Sequence, residues 1–181
     1  MLWLTAIVSN LVVATVTFLF YGWNVAAAHA AARNTARFSG LWFLLAFAAP
    51  GLRRIVASLP DDVRLVRSFV AAHMVHFAVV ACILTVWESA HTKDHPAQAA
   101  GTIVLGFSLV IAVGVTAVQR ASRVFTAVHR MLLYVVFLIF FAGFLKDVIR
   151  PLHVIAILFG VGLILRLTNR LILSTQRGVA G

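Results

Sequence analysis

Three histidines lie inside long apolar stretches of this chain: His73 and His76, three residues apart, and His129 further along. An ionisable side chain at membrane depth is costly, so a chemical role is its default reading. Residues three apart on a helix are neighbours on its surface, which puts His73 and His76 side by side. A neutral imidazole is a good nitrogen ligand for iron, and two of them on facing helices can hold a b-type haem. Such a site needs apolar, aromatic walls, and Phe69, Phe77, Phe125, Tyr134 and Phe137 stand where they would supply them. Arg67, Arg130 and the Arg53/Arg54 pair would meet the carboxylates of the haem, because guanidinium pairs well with carboxylate at low dielectric. Two other chemistries stay open: a hydrogen bond between helices, of the kind Ser and Thr make, or a proton relay or other metal. The apolar runs contain no carboxylate, which argues against a cation pump, and no third and fourth ligand stand at zinc spacing.

These histidines need helices to carry them. Of 181 residues, 62% are hydrophobic and 11% charged, with a mean hydropathy of +1.03. Soluble domains hold about 45–50% apolar and about 25% charged residues, so a water-soluble fold is excluded. Disorder is excluded by the same apolar content, and a disulfide-stapled module by the single Cys82. A spanning helix takes roughly 20 apolar residues. Runs of that kind fall at about 2–20, 38–55, 68–87, 99–118, 124–145 and 152–173. The expectation is an all-α integral membrane bundle of six transmembrane helices in one domain. A closed barrel would need alternating polarity, which the runs lack. The first run has no positive segment before it and no small-residue cleavage site, so it reads as a span and not as a removed leader. The second is the shortest, ended by Pro50 and Gly51.

Thirteen of the fifteen basic residues are Arg, and the formal net charge is +10. They cluster between the apolar runs, where they set orientation and touch anionic headgroups; no lipid-free basic face is left for nucleic acid. Ten fall on the side that holds Arg53, Arg54, Arg64, Arg67, Arg120, Arg123, Arg130, Arg166, Arg170 and Arg177, and five on the other, at Arg33, Arg37, Lys93, Lys146 and Arg150. That balance predicts both termini in the cytoplasm of a bacterial inner-membrane protein. With Arg67 and Arg123 taken as the points where their helices meet the core, His73 and His129 lie about 9 Å deep and His76 about 13 Å, at about 1.5 Å per residue. Histidines of two helices would then meet at one level. Cys82 reads as inert packing, Asn10 as an interhelical hydrogen-bond partner, and His29, His91, His95 and His153 with Glu88 and Asp94 as solvated outer-loop groups. No Gly-rich phosphate loop or dinucleotide fingerprint is present.

Four stretches resemble the ferric-reductase-like transmembrane domain superfamily, which includes the haem-binding membrane subunit of the bacterial methionine sulfoxide reductase system. They are ARNTARFSGLWFLLAFAAPGLRRI from Ala32, RLVRSFVAAHMVHFAVV from Arg64, HRMLLYVVFLIFF from His129, and the closing RPLHVIAILFGVGLILRL. The resemblance implies a membrane electron-transfer cytochrome with haem b between the third and fifth helices. It makes His129 one ligand and favours His76 as the other, with His73 as the substitute, whereas the depth argument leans to His73. Many members carry a second histidine further along each ligand helix. Here Ala142 stands at that place on the fifth helix and Trp87 near it on the third, so a single haem is expected. Larger relatives append flavin and nicotinamide domains, so electrons would come from a separate flavoprotein or a membrane quinol. The alternative is a haem-free scaffold or assembly subunit whose histidines only join helices.

Overall fold

The structure is a computed structural model and describes residues 1–86, 96–119, 122–146 and 153–179. Among them are six helices and no strand: α1 (Leu2–Tyr21), α2 (Val25–Leu52), α3 (Asp62–Val86), α4 (Pro96–Val118), α5 (Arg123–Lys146) and α6 (His153–Val179). Five of the six, all except α2, contain a stretch long and apolar enough to cross a membrane. Their outward faces carry Leu19, Phe20, Val104, Leu138, Ile164 and Leu171, more than half exposed, as side chains that meet lipid do.

The helices start and stop for local reasons. Gly22 takes φ 76 after α1, a conformation open to glycine, and Asn24 then caps α2 by accepting a 2.8 Å hydrogen bond from Ala27 N. Asp61 accepts from Arg64 N at the start of α3, and Ser122 from Phe125 N at the start of α5. Pro50 falls in the last turn of α2, so the helix runs past it to Leu52.

The second expected span is corrected most. It was placed at about 38–55, but α2 begins at Val25 and takes in His29, Arg33 and Arg37, all expected in an outer loop. Its amino-terminal half is rich in alanine, and Ala27, Ala28, Ala30 and Ala31 are buried against neighbouring helices. The stretch is helical because protein covers it, not because lipid does, which is why apolar run length missed it. α2 lies at the centre and packs on α1, α3, α5 and α6. It runs antiparallel to α3, pairing Thr35 with His76 and Ser39 with His73, and parallel to α6. At the α2–α6 seam a Cβ on Gly51 would stand 2.5 Å from Leu165 O, so only glycine permits that approach. A layer of phenylalanines fills the middle, with Phe43, Phe47, Phe69 and Phe159 fully buried.

Candidate functional site

The three membrane histidines share one local design. His73 Nδ1 lies 2.6 Å from Ser39 Oγ, His76 Nδ1 3.2 Å from Thr35 Oγ1, and His129 Nδ1 3.0 Å from Thr116 Oγ1. In each pair the hydroxyl belongs to a neighbouring helix and is also placed to donate to a carbonyl of its own: Ser39 to Ala36 O, Thr35 to Ala31 O, Thr116 to Ala112 O. A hydroxyl has one proton, which goes to the carbonyl or to the imidazole. With the hydroxyl proton on its carbonyl, Nδ1 is the donor and Nε2 keeps the lone pair, the arrangement of a metal-binding histidine; with that proton turned to the imidazole the roles exchange.

Their placement divides them. His73 is 9% exposed and its ring lies 4.9 Å from those of His76 and Phe77, 5.5 Å from Phe69 and 5.6 Å from Phe140 of α5. His76 sits beside it, and Phe107 of α4 closes the far side of Phe77 at 5.5 Å. Behind Phe140 a cleft of about 190 Å³ runs between α2 and α5, with Arg33 and Arg37 at its rim. Asn10 reaches this level from α1 and donates to Ala72 O, the interhelical bond expected of it; its Oδ1 is buried without a partner.

His129 lies elsewhere. It lines a cavity of about 640 Å³ at the end of the bundle where α3 and α5 begin, together with Pro50, Asp62, Arg130, Arg166, Asn169 and Arg170. Asp62 opens α3, and His76 is fourteen residues further along the same helix, about 21 Å of rise. On α5, Phe140 marks the level of His73 and stands eleven residues beyond His129, about 16 Å. His129 bonds to Thr116 of α4, and Gly114, two residues before Thr116, packs against Val70 of α3, so His129 stands nearer the amino-terminal end of α3 than His76 does. The position on α5 near His73 is taken by Phe140, with Ala142 and Gly143 just after it.

The other expected residues also part company. Arg130 lines the cavity with His129, whereas Arg67 is exposed on the opposite side of α3, in a groove with Trp3 and Gly114. Phe69 and Phe77 flank His73 as expected. Phe137 and Tyr134 instead pack on Phe47, at 4.7 Å and 5.4 Å, and Phe125 is 42% exposed. Cys82 is exposed and not packed inside. Glu88, His91, Asp94, His95 and Trp87 lie outside the described residues. No group of three or more metal-binding side chains occurs among those described.

Tested against a haem, the α3 pair fits in donor and wall: lone-pair nitrogens, orienting hydroxyls and four aromatic rings, with two arginines at the adjacent cleft. His129 bonds to α4 and lines the basic cavity, whereas His73 and His76 bond to α2, so the α3 pair and His129 stand in different surroundings. The cleft is also small for a porphyrin, so the Phe140 ring has to turn away to admit one.

Sequence reasoning missed the three hydroxyls, although Ser39 and Thr35, four apart on α2, mirror the three-residue spacing of the histidines they meet. It also missed Arg166. Read as an exit residue of the last span, it is 7% exposed, donates Nη1 to Phe47 O, and has its guanidinium 4.5 Å over the Phe47 ring. Compared with family models, curated proteins and solved structures, the chain matches none.

Proposed function

We propose that this chain is a membrane-embedded electron-transfer subunit of the b-type cytochrome class, with one haem b held on α3 by His76 or its neighbour His73. The observation that carries the reading is that Ser39 and Thr35 of α2 hold the Nδ1 atoms of two adjacent imidazoles, which Phe69, Phe77 and Phe140 surround. Bound there, the haem would supply one-electron chemistry; the protein contributes the axial nitrogen, its orientation, exclusion of water by Phe69, Phe77 and Phe140, and cationic partners at Arg33 and Arg37. A separate flavoprotein or a quinol would deliver the electrons. The arginine-rich end faces the cytoplasm of a bacterial inner membrane, with both termini on that side.

A second reading is favoured by the same contacts. Each imidazole is already bonded to a hydroxyl of a neighbouring helix, which is all that a haem-free scaffold subunit would need.

The deciding measurement is a dithionite-reduced minus oxidised spectrum of the purified full-length protein, expressed with ample haem. About one haem per chain, lost in a His73→Ala/His76→Ala double variant and kept in His129→Ala, supports the assignment. Loss in His129→Ala alone moves the haem to the basic cavity. A featureless wild-type spectrum establishes the scaffold reading.

A further inference from the structure

The cavity beside His129 has a chemistry that the haem reading does not use. Three guanidinium groups line it, from Arg130, Arg166 and Arg170, against the single carboxylate of Asp62. Asp62 also pairs with Arg53 at 3.4 Å, so its charge is shared. Arg166 and Arg170, four apart on α6, both lie over the Tyr134 ring, at 5.6 Å and 5.2 Å. Like charges at that spacing repel each other, and the repulsion grows with burial. Arg166 is 7% exposed and faces Tyr134, Arg170 and the Asp62 carboxylate that Arg53 also engages, yet its Nε has no hydrogen-bond partner among the described residues. Asn169 also lines the cavity and accepts at Oδ1 a 2.6 Å hydrogen bond from Arg54 Nε.

A buried donor without a partner, beside a second guanidinium on the same ring, calls for an acceptor that carries negative charge. A phosphate oxyanion meets this need, since guanidinium binds it through two parallel hydrogen bonds. The cavity also has an apolar wall at Pro50 and Leu173 and lies at the bundle end where spans meet headgroups.

We propose that this cavity is a phosphate-binding site, closed by Arg166 and Arg170 with Arg130 and Asn169 at its rim, which takes the phosphodiester headgroup of an anionic membrane lipid. The site stands independently of the haem. Arg166 and Arg170 hold the phosphate oxygens, Tyr134 and Phe47 hold the guanidinium planes in place, and the acyl chains leave past Leu173 toward the lipid.

The test is binding of short-chain phosphatidylglycerol to the detergent-purified full-length protein, followed by native mass spectrometry and by the rise in melting temperature, with inorganic phosphate and short-chain phosphatidylcholine as comparators. The expected result is saturable binding of phosphatidylglycerol well above phosphatidylcholine. Affinity should weaken about tenfold in Arg170→Gln and further in Arg130→Gln/Arg170→Gln, each lost charge-assisted bond being worth about one decade. These two side chains are exposed, so the variants keep their fold where Arg166→Ala would threaten it. Inorganic phosphate competing at equal concentration keeps the phosphate site but makes its ligand the free ion. Equal binding of both lipids, or binding untouched in Arg130→Gln/Arg170→Gln, overturns the proposal.

Discussion

The mid-bundle imidazole pair and the cavity at the arginine-rich end are built from similar parts in opposite ways. At His73 and His76 each ring Nδ1 is tied to a hydroxyl of α2, Ser39 or Thr35, that also meets an α2 carbonyl, and aromatic rings pack around the pair. At the basic end polar atoms are left over, with Arg166 Nε and Arg53 Nε both buried and unpartnered among the described residues. A satisfied network fixes geometry, whereas an unsatisfied one stores a demand for a ligand. The first region can therefore offer one lone pair in a rigid frame, and the second can select charge. His129 shares the hydroxyl design of the first region but the location of the second, which makes it the residue whose substitution separates the two.

The largest expected effect is on haem. His73→Ala/His76→Ala should remove the reduced α-band altogether, while His129→Ala should leave haem per chain within about a fifth of wild type, since a ligand is either present or lost. Retention of the band in the double variant would transfer the cofactor to the other region and erase the contrast.

Next in size is the seam that joins the two regions. Gly51→Ala puts a methyl 2.5 Å from Leu165 O, backbone against backbone, with no flexible side chain to move aside. Overpacking of this kind costs about 1–3 kcal/mol. Gly162→Ala meets the end of the Leu44 side chain at 2.6 Å, which can swing away, so its cost should be smaller. Thermal unfolding in detergent ranks the two, and a reversed order would mean that α2 and α6 are not held by the Gly51 contact.

A hydroxyl deletion sharpens the comparison from the other side. Ser39→Ala strands the Nδ1 of His73 in a buried site, a loss of about 1–3 kcal/mol. In the His73→Ala background the same change should be nearly neutral, because the stranded nitrogen is gone. A double-mutant cycle with no coupling between positions 39 and 73 would show that the short contact carries no energy.

How far all this was legible in the sequence follows from what each signal measures. Apolar run length located α1, α4 and α5 to within three residues, but α3 begins six residues before the expected 68 and α6 ends six after the expected 173, where polar residues extend the helix beyond the apolar run. It misplaced the start of α2, where Arg33, Asn34 and Arg37 interrupt the run, because other helices cover that segment. The histidines and their helices were readable, but their partners were not: nothing in a count of depth shows that His129 meets Thr116 of α4 while His73 and His76 meet Ser39 and Thr35 of α2. Arg166 was grouped with Arg170 and Arg177 as surface charge, since sequence carries no sign that Phe47 and Tyr134 lie beneath it.

The smallest predicted effect isolates what Tyr134 contributes to the basic end. Its ring sits under two guanidinium groups and against Phe47, and its hydroxyl is buried beside Arg166. If the ring does the work, Tyr134→Phe keeps the π-face, so stability should change by less than about 0.5 kcal/mol. Tyr134→Leu keeps the bulk but loses the face under both charges, and should cost about 1–2 kcal/mol. The lipid measurement then separates two roles for the same ring. Phosphatidylglycerol affinity retained in Tyr134→Phe and weakened in Tyr134→Leu means that the aromatic face positions Arg166 and Arg170. Affinity lost in Tyr134→Phe would mean that the hydroxyl itself reaches the phosphate as a hydrogen-bond donor.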